Sequence, residues 1–464
     1  MKKEKILLID PFCKNPKYES PNAKLGYSSA ILEQAGYETE ILDFIISDID
    51  NIKELDIYEN MKKEFFNNIK EEAKKYDYIY INCEYGLLKT ARDIAKLIDL
   101  NKIIIVGGTF LNYLYAAKQL EKIKKEIAIF KYVSIGDPET DLLNIIKGNE
   151  SFIKEKIGET IIYSSGMVND LDSIPFPQWS KYDIDKYDGN LYLVASKSCS
   201  YNRCKFCDER LIWGNRFRYR DYKKIIEEIK RDIEEYHINK FFFWDASIAA
   251  YPEIKELCNE IIANKIDCKW TALLRADEVT DELAKLMKKA GCYSIEIGIE
   301  SLNQEILDSM NKGVDISTIK NAINILKENG LIVEGSFLIG YYEDSKESIL
   351  RTIEESKKLN IDFYRWHNLE LAAAYLRQNP DVIDENWGEL DLNYPNQFLH
   401  LKIIGHPGGY LDMHIVSKMG KNEPKEYPDC KIGNLTIKEI HDLTRLAIKE
   451  TEEIMTVEGH NPYI

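Results

Sequence analysis

No run in the 464 residues approaches the roughly 18 consecutive apolar positions that a membrane-spanning helix needs. The opening residues, Met1 to Asp10, carry no small-residue cleavage site after their apolar stretch and read as a first β-strand, so a cytoplasmic protein is expected. Basic residues are in deficit, 62 against 78 acidic ones, giving a formal charge of −16. That balance speaks against general affinity for nucleic acid or an anionic membrane, both of which need clustered Lys and Arg. Arg216, Arg218 and Arg220 do stand close together, but a solvated face or a few internal salt bridges account for them more simply than a phosphate patch. Histidine is scarce, at seven residues, and there is no fixed-period repeat or low-complexity tract. A disulfide framework is not expected either, because nine cysteines in a long chain without a secretion signal read as thiols or metal ligands.

Six of those cysteines (Cys13, Cys83, Cys258, Cys268, Cys292 and Cys430) are scattered, and each is expected to be a small buried hydrophobe. The other three are grouped. Cys199, Cys204 and Cys207 share the run Ser198 to Cys207, just after the strand-like stretch Leu191 to Ala195. Three thiolates on one short loop can hold three corners of an iron–sulfur cube and leave the fourth iron without a protein ligand. Such an open metal position is where a substrate or cosubstrate binds. A structural zinc site would call for a fourth Cys or His nearby, and none stands close in the sequence.

Two series of alternating strands and helices flank this loop, and the expected class is α/β. Residues 1–150 read as a doubly wound parallel (Rossmann-like) sheet, with Ile/Val-rich strands near Lys5–Asp10, Glu38–Phe44, Tyr76–Asn82, Lys102–Val106 and Lys131–Ile135. Ligands of such sheets sit at the carboxyl ends of the strands, here Asp10, Cys83-Glu84, Gly107-Gly108-Thr109 and Gly136-Asp137. Residues 151–189 read as an ordered linker, in which Asn169 to Asp188 loses periodicity and gains Pro175, Pro177 and Trp179. Residues 190–370 carry six further strand–helix units, short of the eight of a closed barrel, so a partial (β/α)6 barrel is expected with the cysteine loop after its first strand. Residues 371–464 read as a small α+β extension, in which His400, His406, His414 and Gly408-Gly409 are candidates for a substrate-covering segment, with a structural loop as the alternative. His367 ends the sixth barrel strand and is a candidate to face substrate; His237 and His441 sit on helices as surface or packing residues.

The C-x4-C-x2-C spacing with Phe206 before the last cysteine resembles the radical S-adenosylmethionine (SAM) superfamily, whose commonest first gap is one residue shorter. The likeness runs from about Leu191 to Glu370. It implies a [4Fe–4S] cluster on Cys199, Cys204 and Cys207, and SAM contacts from Phe206, Asp245, Arg275, Glu300, Ser301 and Gly340 at successive strand ends. Tyr341-Tyr342-Glu343 replaces the Pro-Gly-Glu often found after the fifth strand. The first domain and linker look like the subgroup with an amino-terminal cobalamin-binding domain, on the stretches Leu25-Gly26-Tyr27, Ile105 to Thr109, Ser134 to Thr140 and Leu171 to Pro177. Gly26, Gly107, Gly108, Gly136 and Asp137 are the cobalamin contacts this implies; there is no Asp-x-His-x-x-Gly run to supply a histidine to cobalt.

The resemblance thus implies reductive cleavage of SAM to methionine and a 5′-deoxyadenosyl radical, with cobalamin-dependent C-methylation of an unactivated carbon as the leading reaction. One alternative is a cobalamin-independent radical enzyme with a vestigial first domain, performing epimerisation, bond formation or rearrangement. Another is a non-catalytic iron–sulfur sensor. A transfer-RNA methylthiotransferase fits less well, since its first domain needs three cysteines and only Cys13 and Cys83 are available. Implied partners are a small-molecule or peptide substrate and a reductant such as flavodoxin or ferredoxin. The sequence does not identify the substrate.

Overall fold

Ile6, Leu7, Leu8 and Ile9 are all fully buried, because β1 (Lys5–Lys14) lies inside a sheet covered on both faces. The computed structural model describes residues 4–14, 20–45, 55–84, 87–99, 101–116, 118, 120–187, 190–207, 209, 213–369 and 431–452. The first sheet adds β2 (Glu38–Ile45), β3 (Tyr78–Asn82), β4 (Ile103–Gly107), β5 (Tyr132–Ser134), β6 (Ile153–Ile157) and β7 (Thr160–Tyr163), in the order β2-β1-β3-β4-β5-β7-β6. All its pairs are parallel except β6 with β7. Crossover helices Ala23–Gln34 and Pro138–Ile146 cover the face turned to the second domain. The first starts at Asn22, whose side chain accepts from the Lys24 and Leu25 amides. The second has Pro138 where a helix needs no amide donor.

The sheet therefore runs on past residue 150, where a linker was expected, and ends at Tyr163. Lys154, Glu155 and Lys156 are exposed along the edge strand β6, so they lack the apolar alternation that marks a strand in sequence. After Tyr163 the chain crosses to the barrel in short 3₁₀ turns tied to both sides. Tyr182 donates to the Asn22 carbonyl (2.7 Å), Gln178 N–H to the Gly26 carbonyl (3.0 Å), and the fully buried Trp179 indole to Asp232 (3.4 Å).

The second sheet is the partial barrel. After β8 (Leu191–Leu193) come β9 (Ser196–Lys197) and β10 (Arg218–Tyr219), which pair antiparallel with each other. Then follow β11 (Lys240–Phe243), β12 (Lys269–Leu274), β13 (Cys292–Glu300), β14 (Ile332–Ile339) and β15 (Phe363–Asn368). The six strands β8, β11, β12, β13, β14 and β15 lie in that order and all parallel. Helices between them bury one apolar stripe each, for example Ile319, Ala322, Ile323 and Leu326 of Ile316–Glu328, which Asp315 caps through the Thr318 amide (2.7 Å). The hairpin β16 (Lys431–Ile432) with β17 (Leu435–Thr436) leads into helix Ile437–Glu452, which packs on β15: Trp366 donates to Thr451 (3.0 Å), and Thr444 donates to Asn368. Among the described residues no helix is long and apolar enough to cross a membrane.

Candidate active site

The cysteine loop leaves the carboxyl end of the first barrel strand, and its root is pinned by Asp245. That carboxylate, 2% exposed, accepts from the amides of Ala195 (3.1 Å) and Ser196 and from the Ser196 hydroxyl. Burial pushes Asp245 up to about 6, against those hydrogen bonds. A carboxyl whose folded value is raised favours the protonated folded state, so its contribution to stability falls as pH rises from the usual aspartate range near ~4 towards ~6. The stability advantage of the wild type over Asp245→Asn should therefore shrink by up to about 3 kcal/mol between about pH 4 and pH 7. Urea unfolding of both proteins at the two pH values checks this.

A turn from the far side grips the loop itself. Met310 O accepts from the Lys205 amide (2.8 Å), Asn311 donates to the Arg203 carbonyl (3.0 Å), and Tyr201 donates to the Asn311 carbonyl (2.9 Å). Gly313 closes the turn at φ +70°, and a Cβ there would lie 2.3 Å from the Tyr201 hydroxyl, so a side chain would be strained and would displace Tyr201. Between them stands Lys312, a buried amine 2.7 Å from Glu300 Oε1 and 5.8 Å from the Phe206 ring centroid. Burial opposes its charge, yet Glu300 and Cys204 hold the ammonium above its ordinary range. Arg275 lies on the same side. Its guanidinium is 3.9 Å from the Tyr201 ring centroid, donates to the Lys312 carbonyl (2.9 Å) and to Asp277 (3.1 Å), and brings Nη1 to 3.8 Å from Cys204 Sγ.

Cys199, Cys204 and Cys207 are half-buried thiols outside any disulfide. Burial raises Cys204 above its ordinary range, while Lys312 and Arg275 pull the other way. Among the described residues no three Cys, His, Asp or Glu side chains converge as a ready metal site. The three sulfurs share a loop without meeting at one point. Soft thiolate donors beside two cations nevertheless match the chemistry of an anionic iron–sulfur centre.

Of the residues expected around SAM, Phe206, Arg275 and Glu300 are brought together with Cys204. Glu300 sits in the left-handed region at φ +63°, which a bulky residue adopts only when its surroundings hold it there. Asp245 instead turns its carboxylate to the strand, Ser301 bonds Thr352 (3.1 Å), and Gly340, at φ +87°, lets Ile440 of the last helix approach. His367 is half-buried on β15. His400, His406, His414 and Gly408-Gly409 lie outside the described residues. Lys312 was not anticipated; its only signal is the Lys-Gly turn that follows the short helix Gln304–Ser309.

The first domain meets the barrel at a buried seam of charges. Asp137, expected as a cobalamin contact, pairs with Lys197 (3.3 Å) and Arg218 (3.2 Å), and Glu139 pairs with Lys197 (3.1 Å). Gly26 makes room for Pro177, Gly107 for Tyr80, and Gly136 for Ser164 and Asp141. Gly108, at φ +135°, leaves no space for a Cβ beside the Cys83 carbonyl (2.6 Å). Two polar atoms at this end of the sheet are nevertheless buried with no hydrogen-bond partner among the described residues: the Tyr80 hydroxyl by Gly107, and Asn112 Oδ1 on a side chain that donates to the Gly136 carbonyl. A narrow cleft lies between the domains, lined by Lys24, Glu139, Lys197, Glu209, Trp213 and Trp244. Lys24 Nζ stands 4.8 Å from the Trp213 ring and 5.6 Å from the Trp244 ring.

Residues 193–356, from the end of β8 through the helix after β14, match the radical SAM superfamily. The barrel is a radical SAM domain. An uncharacterized methyltransferase of Pyrococcus horikoshii is 26% identical over 392 residues, covering 78% of this chain and 80% of its own. Among solved structures, the cobalamin-dependent SAM radical enzyme OxsB, with aqua-cobalamin and SAM bound, superposes with a TM-score of 0.63 at 16% identity, covering 98% of this chain and 68% of that one. The radical SAM methyltransferase TsrM of Kitasatospora setae, with cobalamin and a [4Fe–4S] cluster bound, gives 0.59 at 16% identity, covering 79% and 75%. At that identity the two structures establish a shared fold. In this radical SAM domain the cysteine loop, Arg275, Lys312 and Glu300 all sit at the carboxyl end of the barrel strands, the end that carries active sites in barrel enzymes.

Proposed function

We propose that the protein holds a [4Fe–4S] cluster on Cys199, Cys204 and Cys207, cleaves SAM reductively, and uses cobalamin in its first domain to methylate an unactivated carbon. The observation that carries this is the three-cysteine loop, gripped at the mouth of a radical SAM barrel with Arg275 and Lys312 beside Cys204. When bound, the cluster and SAM supply a 5′-deoxyadenosyl radical, and cobalamin supplies a methyl group. The chain's own residues bind and position. Arg275 and Lys312 offset the negative charge of the thiolates, Glu300 and Lys312 orient each other, and Asp245 fixes the strand from which the loop departs. Phe206 anchors the loop against the apolar core.

Cobalamin is supported by the buried, unpartnered Tyr80 hydroxyl and Asn112 Oδ1 at the carboxyl end of the first sheet, since a corrin rim carries amides able to meet both. The binding of cobalamin by OxsB and TsrM, which share the fold, points the same way. The packing of Gly26, Gly107, Gly108 and Gly136 on protein favours a second reading, a radical SAM reaction without cobalamin.

Anaerobically reconstituted protein given SAM and dithionite is expected to yield 5′-deoxyadenosine and methionine. Their absence from cluster-loaded protein would end the proposal. Protein reconstituted with cobalamin should also keep the cofactor's visible bands through gel filtration; colourless protein that still cleaves SAM selects the second reading.

A further inference from the structure

Unusual backbone gathers around the cysteine loop. Among the described residues, seven other than glycine stand at positive φ, and four of them lie in this loop or against it. They are Ser198 (+72°), Asn202 (+49°), Glu300 (+63°) and Asn311 (+54°). Side chains adopt that region where their neighbours over-determine the chain, and such positions collect at functional sites. Asn202 belongs to the longer first gap between the cysteines and bends the chain straight after Tyr201. Tyr201 is held at both ends. Its hydroxyl donates to the Asn311 carbonyl (2.9 Å), and its ring centroid lies 3.9 Å from the Arg275 guanidinium carbon.

Arg275 in turn is engaged on two edges and one face. Asp277 stands 3.0 Å from Nε and 3.1 Å from Nη2, the paired approach of a carboxylate to a guanidinium fork. Nη2 also donates to the Lys312 carbonyl (2.9 Å), and Nη1 reaches to 3.8 Å from Cys204 Sγ. Both edges that include Nη2 are therefore taken. No bidentate fork is left for the carboxylate of SAM, the contact that the family likeness implied for this residue. What the guanidinium does meet is a cysteine of the loop.

We propose that Tyr201 is a positioning residue: it clasps Arg275 against Cys204, where the guanidinium eases one-electron reduction of the cluster instead of binding SAM. The inference rests on the cluster-binding reading above. Reduction by a one-electron donor adds one negative charge to the cluster, and a cation beside a ligand sulfur stabilises that charge. The ring face of Tyr201 attracts the guanidinium and stops it swinging away. Without the ring, Asp277, the more exposed partner at 36%, draws the guanidinium towards solvent.

The test reads the cluster's redox state. Reconstituted proteins are titrated anaerobically with dithionite and redox dyes, and the paramagnetic signal gives the ratio of reduced to oxidised cluster. At the wild-type midpoint, Tyr201→Leu should lower that ratio at least about threefold, while Tyr201→Phe, which keeps the ring, should restore most of it. Arg275→Gln should lower it at least about tenfold, and adding Tyr201→Leu should then change little. SAM affinity, from equilibrium dialysis of the oxidised proteins, should change less than about twofold in Arg275→Gln. Three results overturn the inference: an unchanged ratio in Tyr201→Leu, a full Tyr201 effect persisting beside Arg275→Gln, or an Arg275→Gln loss of SAM affinity larger than its fall in ratio. Should a variant hold no iron, amide hydrogen exchange of the cluster-free proteins decides. Tyr201→Leu should there speed exchange across residues 200–207 at least about fivefold, with Tyr201→Phe nearer the wild type, and unchanged exchange overturns the clasp. Wild-type protein that takes up no cluster refutes the proposed function, and the exchange comparison still decides the clasp.

Discussion

Cys204→Ala is expected to lose SAM cleavage by at least about a thousandfold, or roughly 4 kcal/mol of barrier, in a chain that still folds. A cubane held by three protein sulfurs has no spare ligand, so removing one leaves two anchors and an additional exposed iron. Cys204 is the most telling of the three because Arg275 and Lys312 both face it, and the variant leaves their charges without the group they offset. Folding should survive, because the loop's grip comes from Tyr201, Arg203, Lys205 and the Asn311–Gly313 turn, none of which the substitution touches. Iron and sulfide content, the paramagnetic spectrum after reduction, and 5′-deoxyadenosine yield are the readouts. Cys258→Ala serves as the contrast: that thiol is fully buried in the hydrophobic core, and its loss should lower stability with iron content unchanged. Wild-type iron and activity in the Cys204 variant would remove it from the ligand set.

Lys197→Met is expected to destabilise the protein by about 3–5 kcal/mol, the cost typical of breaking a buried ion pair on one side. Lys197 is 7% exposed and sits between Asp137 and Glu139, which are 0% and 1% exposed. Asp137 would keep Arg218 and the Val168 amide (2.7 Å). Glu139 would be stranded, since Oε2 already has no hydrogen-bond partner among the described residues. Adding Glu139→Gln should return most of the loss, because removing both charges of a buried pair is far cheaper than removing one. Urea denaturation of the two single variants and the double variant forms the cycle. A Lys197→Met midpoint equal to that of the wild type would show that the seam contributes nothing to stability. The sign of its pH dependence is also set. Burial disfavours the Asp137 charge, but Lys197 and Arg218 outweigh it and hold the carboxyl below its ordinary range. Its stabilisation is therefore present above about pH 4 and disappears as pH falls through the lower folded value.

The elements most legible in the sequence were those whose burial is continuous. β1, β3 and β4 announce themselves because both faces are covered, and the cysteine loop because three soft ligands occur so close together. β6 was hidden by its exposed Lys154-Glu155-Lys156 edge. Arg218 and Arg220 form internal ion pairs, with Asp137 and Glu228, the simpler of the readings open from their spacing; Arg216 stays exposed and bonds Asn169. Lys197 and Lys312 gave no such hint, since lysine is a surface residue by default and only tertiary packing shows which carboxylates it meets. Asp137 was placed at a ligand-facing strand end, and it does lie there, but its carboxylate is bonded to the second domain. A strand end tells where a residue sits and not which neighbour uses it.

The seam also limits how the two halves can move. Swinging them apart would bring Asp137, Glu139, Lys197 and Arg218 into water as separated ions at every turnover, undoing four mutually compensated charges for a single opening. Large hinge excursions therefore carry a heavy electrostatic cost. Adjustment beside Lys24 and Trp244 falls instead to side chains, within a body that stays whole.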